Sequence, residues 1–105
     1  MKDASNFLGQ IKQLVLEKEP TAKIYLYGSR VKGLAHDESD WDLLILVRGD
    51  KVSREIETSI TDPLYDLEFE TGEVISPMIY SEDEWNNKYS ITPFYRNVMK
   101  EGRLL

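Results

Sequence analysis

The sequence predicts an α/β (α+β) fold in which a small mixed sheet is flanked by helices, within a single domain of 105 residues. Three observations lead there. Stretches with apolar residues at helical spacing alternate with short runs rich in β-branched and aromatic residues. Glycine or proline separates most of these segments. The run at residues 40–47 is apolar on both faces beyond its first residues, which marks a central strand covered by helices.

Phe7, Leu8, Ile11, Leu14 and Val15 fall at helical spacing within residues 3–18, with Asp3 or Ser5 as a cap and Pro20 just past the end. Lys23 to Tyr27, bounded by Pro20 and Gly28, suits a strand. Gly28-Ser29 breaks it, and residues 30–33 fit a single helical turn before the polar run 36–39. A second strand over residues 40–47 ends at Gly49-Asp50. Trp41, Leu43, Ile45 and Val47 share one face, while Asp40 and Asp42 share the other with Leu44 and Leu46. The polar link between these strands permits either an antiparallel return or a crossover.

Residues 53–60 read as a helix, with Ile56 and Ile60 four apart. Asp62-Pro63 is expected to interrupt it and begin a second helix that runs to about residue 70, because proline suits a first helical turn. Gly72 ends that helix, and residues 74–80 predict a third strand. Pro77 cannot donate to a ladder, so the strand bulges or lies at an edge there. Ser81-Glu82-Asp83-Glu84 matches a capping box before a short helix with Trp85. Thr92-Pro93 opens a last helix bearing Phe94, Val98 and Met99, which Gly102 closes.

Composition narrows the functional classes. There are no cysteines, which excludes disulfides, zinc-thiolate sites and thiol nucleophiles. The net charge is −6 and the thirteen basic residues are scattered, so the basic stripe of a nucleic-acid-binding domain is missing and no nucleic-acid partner is expected. No apolar stretch approaches the ~20 residues of a membrane span. The opening MKDASNFLGQ has an acidic residue and no long apolar run, so no signal peptide and a cytoplasmic location are expected.

Chemistry concentrates between residues 24 and 47. Asp40 and Asp42, two apart on a strand, project to the same side and repel each other unless a cation sits between them. Magnesium is the natural occupant, since it takes oxygen ligands and completes its shell with water and substrate phosphates. Gly28-Ser29, at the end of the neighbouring strand, allows close backbone approach to a phosphate and offers a hydroxyl and N–H groups to its oxygens. Arg30 adds a positive charge beside the same phosphates, with Lys32 a weaker candidate. An EF-hand calcium loop is rejected for HDESDWD, which lacks the central glycine and terminal glutamate.

Ten residues separate Ser29 from Asp40. Gly28-Ser29, that spacer and Asp40-x-Asp42 together resemble the signature of the DNA polymerase β-type nucleotidyltransferase superfamily. The run GSRVKGLAHDESDWDLLILV is similar to its minimal, MNT-type members, with Gly33 and Ser39 matching as well. The resemblance implies a nucleoside triphosphate held by Gly28, Ser29, Arg30 and Ser39, and Mg2+ held by Asp40 and Asp42. It implies transfer of a nucleoside monophosphate, usually AMP from ATP, to an acceptor hydroxyl with loss of pyrophosphate. It also implies a HEPN-domain protein as partner, and toxin–antitoxin pairs in which the enzyme adenylylates that partner. The alternative is a catalytically weak or inactive nucleotide-binding antitoxin module of such a pair.

One departure bears on that choice. The family usually supplies a third carboxylate from a later strand, whereas residues 74–80 contain no acid and Ser76 is their most suggestive polar residue. Glu73 is the nearest candidate; Asp66, Glu68 and Glu70 are assigned to the preceding helix. His36 is read as an exposed loop residue. Tyr25, Tyr27, Trp41, Trp85, Phe94 and Tyr95 are read as core or core-edge packing, with a partner surface formed by some of Tyr80, Trp85, Tyr89, Phe94 and Tyr95 as the rival reading.

Overall fold

The fold is laid out around β2 (Trp41–Val47), whose seven residues are nearly all buried. In a computed structural model that describes residues 4–32 and 40–105, the elements in chain order are α1 (Ala4–Lys18), β1 (Lys23–Tyr27), α2 (Ser29–Lys32), β2, α3 (Arg54–Thr71), β3 (Ile75–Ser81), α4 (Glu82–Asn87), α5 (Pro93–Glu101) and β4 (Arg103–Leu104). The sheet order is β3-β2-β1-β4. β2 returns antiparallel to β1, which decides between the two connections that spacing left open. α3 then carries the chain across to β3, which runs parallel to β2 as a helical crossover permits.

The alternation along β2 divides the hydrophobic residues into two layers. Trp41, Leu43, Ile45 and Val47 face Phe7, Leu8, Ile11 and Val15 of α1 and Ile60, Leu64 and Leu67 of α3. Leu44 and Leu46 face Trp85 of α4 and Val98 of α5, edged by Tyr25, Tyr27, Tyr80, Tyr89, Phe94 and Tyr95. The aromatic residues near the C-terminus thus form a second core. Tyr80 stacks on the fully buried Trp85 at 5.8 Å between centroids, and Tyr95 lies 4.9 Å from the same ring.

α3 departs from expectation, because it is one helix with Pro63 inside rather than two. An interior proline costs about 3 kcal/mol. Ile60, Leu64 and Leu67 form one buried stripe across the proline, and each such side chain contributes roughly 1.5–3 kcal/mol on burial. Together they exceed the penalty, so the stripe overrides the local break. Ser53 caps the start, its Oγ accepting from the Ile56 N–H at 3.1 Å, and Gly72 closes the end at φ 77°.

Pro77 lies on an edge strand, as a residue without an N–H requires. Ser81 caps α4, with its Oγ accepting from the Glu84 N–H at 3.0 Å, and Thr92 caps α5 in the same way through Tyr95. β4 has no counterpart in the sequence reading. Its two residues pair with Tyr25 and Leu26, and the Leu105 N–H donates to the Ile24 carbonyl at 2.8 Å. No helix among the described residues is long and apolar enough to cross a membrane.

Candidate active site

The antiparallel return places the end of β1 beside the start of β2, with Tyr27 aligned to Asp42. Parallel pairing aligns Asp42 with Ser76 on the other side. Asp42 therefore lies in a row of same-face residues drawn from three strands, on the α4/α5 side of the sheet.

Gly28 follows Tyr27 at φ 81°, the left-handed region that glycine enters without penalty. A Cβ there would lie 3.2 Å from Asp42 Cγ and nearer still to Oδ2. The missing side chain makes room for that carboxylate. The chain then turns, with the Val31 N–H donating to the Gly28 carbonyl at 3.2 Å, and Ser29 begins α2. Gly28 and Ser29 thus meet Asp42 at one end of the sheet.

The two aspartates differ in setting. Asp42 is half-buried, and burial, then the neighbouring Asp40, raise its pKa above the ordinary carboxylate value. Asp40 is exposed, and the Ser76 hydroxyl donates to its Oδ2 at 3.4 Å. Tyr27 is held as a neutral phenol, its pKa pushed up to about 12 by burial, then by Asp42 and Tyr80. It cannot serve as a base near neutral pH.

A partly buried carboxylate beside a second carboxylate is stabilised by a cation, and the donors this pair offers are the hard oxygens of Asp40 and Asp42. That set fits Mg2+, which takes one or two carboxylates and fills its shell with water and phosphate oxygens. Among the described residues there is no group of three or more Asp, Glu or His side chains suited to a metal.

Arg30 and the later acidic residues make contacts of their own. The Arg30 guanidinium stacks on the Trp41 ring at 3.8 Å, and Trp41 in turn lies 5.0 Å from Phe7 in the α1/α3 layer. Glu73 accepts from Trp41 Nε1 at 3.3 Å. That bond draws it toward the α1/α3 layer, so Glu73 does not join the aspartate pair. Glu68 Oε2 accepts from the Ile75 N–H at 2.7 Å, while Asp66 and Glu70 line a groove of about 320 Å³ between α1 and α3. Lys32 is the last residue of α2. Gly33, His36 and Ser39 lie outside the described residues. Tyr27 was not singled out for the site; strand register, which spacing left undecided, is what brings it to Asp42.

With this geometry in place, comparison with known proteins is specific. A family model of nucleotidyltransferase domains matches residues 8–104. A protein of Methanocaldococcus jannaschii named "Putative protein adenylyltransferase MJ0604" is 39% identical over 83 residues, covering 79% of this chain and 76% of that protein. A crystal structure of a toxin-antitoxin with AMP-PNP matches the fold with a TM-score of 0.63 at 18% identity, covering 91% of this chain and 69% of that one.

Proposed function

Since the chain belongs to the nucleotidyltransferase domain family and is a transferase of that kind, we propose that it moves AMP from ATP to an acceptor hydroxyl in a magnesium-dependent reaction. The observation that carries this reading is the Asp42 carboxylate seated against Gly28, with Asp40 beside it. Gly28 and Ser29 hold the triphosphate through backbone N–H groups and the Ser29 hydroxyl, and Asp40 and Asp42 hold Mg2+. The bound ion supplies charge neutralisation and alignment of the attacking and leaving oxygens. The acceptor oxygen bonds to the α-phosphorus, the bond to the β-phosphate oxygen breaks, and pyrophosphate leaves; the hydroxyl proton passes to a base or water.

In this reading the acceptor is a protein, as in the name of the archaeal relative. A separate partner chain, of the HEPN type, fits the toxin-antitoxin context of the structural neighbour. Residues 1–105 form one nucleotidyltransferase domain in this reading, with a cytoplasmic setting as the source of its ATP. Incubation with ATP labelled at the α-phosphate, Mg2+ and a HEPN-type partner tests the reading. Label is expected on the partner and is lost with EDTA or Asp42→Asn; label that persists in that variant would sink it.

A second reading, a nucleotide-binding antitoxin with little turnover, is favoured by Ser76 standing opposite Asp42 where a third carboxylate would complete the pair. Inhibition of the partner that survives Asp40→Ala supports this reading, and inhibition lost in that variant counts against it.

A further inference from the structure

We propose that Ser76 is a positioning residue for the cation, fixing the Asp40 carboxylate so that it faces the metal; this rests on the cation reading above. The two aspartates are immobilised to different degrees. Asp42 belongs to β2, pairs with strands on both sides, and has its carboxylate against Gly28. Asp40 precedes β2 and is exposed, and among the described residues its side chain has no such wall. The backbone beside it is tied by the Trp41 N–H, which donates to the Val74 carbonyl at 2.8 Å. Among the described residues, the side-chain contact to this carboxylate is the Ser76 hydroxyl, donating to Oδ2 at 3.4 Å.

Ser76 is suited to that role by register. It aligns with Asp42, so its side chain rises on the face that carries both aspartates. The next β3 residue on that face is Met78, aligned with Leu44, which has no hydrogen to donate. A hydroxyl that engages one carboxylate oxygen leaves the other oxygen for a metal, and such outer-shell donors typically govern metal affinity by 10–100-fold.

The test is Mn2+ binding to the full chain, followed by electron paramagnetic resonance, for wild type, Ser76→Ala, Ser76→Thr and Asp42→Asn. Ser76→Ala is expected to weaken Mn2+ binding by about 10–100-fold, with an unchanged circular dichroism spectrum. Ser76→Thr, which keeps the hydroxyl, is expected to restore binding. In transfer assays Ser76→Ala raises the Mg2+ concentration needed for half-maximal rate and leaves kcat at saturating Mg2+ near wild type. If Ser76→Ala binds like wild type while Asp42→Asn has lost binding, the role of Ser76 is refuted and the cation site stands. If Asp42→Asn also binds like wild type, the cation site falls and this proposal with it. Failure of Ser76→Thr to restore binding likewise overturns the proposal.

Discussion

Gly28 and Gly72 form a matched pair for testing what the carboxylate needs. Both adopt left-handed backbone, at φ 81° and φ 77°. Alanine at either position incurs the same penalty, about 1–2 kcal/mol. For a small domain each kcal/mol shifts Tm by about 4–8 °C, so Gly72→Ala should lower Tm by roughly 4–16 °C. A Cβ at Gly72 meets nothing within 4 Å, so no further loss is expected there. A Cβ at Gly28 meets Asp42, lying 3.2 Å from Cγ and 3.5 Å from Cβ, so the carboxylate must move. A displacement of ~1 Å at a reacting centre costs about 10²-fold in rate. Thermal melts without nucleotide should therefore show Gly28→Ala destabilised at least as much as Gly72→Ala. AMP transfer should separate them, with Gly72→Ala near wild type and Gly28→Ala down by about two orders of magnitude. Transfer by Gly28→Ala within a few-fold of Gly72→Ala would refute the idea that this glycine exists to seat Asp42.

Two further predictions concern stability. Asp42 has a folded pKa above its ordinary 3.8, so the folded state holds its proton more tightly than the unfolded state. Its contribution therefore favours folding most below that range and is lost as pH rises through the raised pKa. In EDTA at neutral pH, Asp42→Asn should melt at or above wild type although it transfers nothing; a clearly lower Tm would contradict this sign. Pro63→Ala restores an N–H inside α3 and should raise stability by about 1–3 kcal/mol, read from denaturant unfolding, whereas a loss would mean the proline's packing outweighs its backbone cost.

The parts of the fold written in side-chain periodicity were legible in advance. The two faces of β2 separate as alternation requires, Trp41, Leu43, Ile45 and Val47 into one layer and Leu44 and Leu46 into the other. Features that depend on tertiary balance were not. Pro63 reads locally as a break, and only the buried stripe of Ile60, Leu64 and Leu67 shows why the helix continues. β4 is two residues long, too short to carry a pattern, and exists because β1 offers a free edge. At the site, the spacing from Gly28-Ser29 to Asp40 and Asp42 was readable, but the contact between Gly28 and the Asp42 carboxylate depends on the antiparallel register. Charge and its place after Gly28-Ser29 suggested phosphates for Arg30, and position at the entry to the third strand suggested Glu73 as the nearest further acid. Trp41 takes the Arg30 guanidinium on its ring face and holds Glu73 through its indole N–H, contacts that only the folded layers reveal.

The most direct test of the central claim is the affinity of the purified chain for ATP, measured by calorimetry with Mg2+ and then with EDTA, for wild type and for Asp42→Asn. ATP held between Gly28-Ser29 and a cation on Asp40 and Asp42 requires both the ion and the carboxylate. Wild type should bind with Mg2+ and lose most of that affinity in EDTA, and Asp42→Asn should bind weakly in either condition. Equal affinity in all four measurements would show that the aspartate pair does not hold a metal-bound nucleotide.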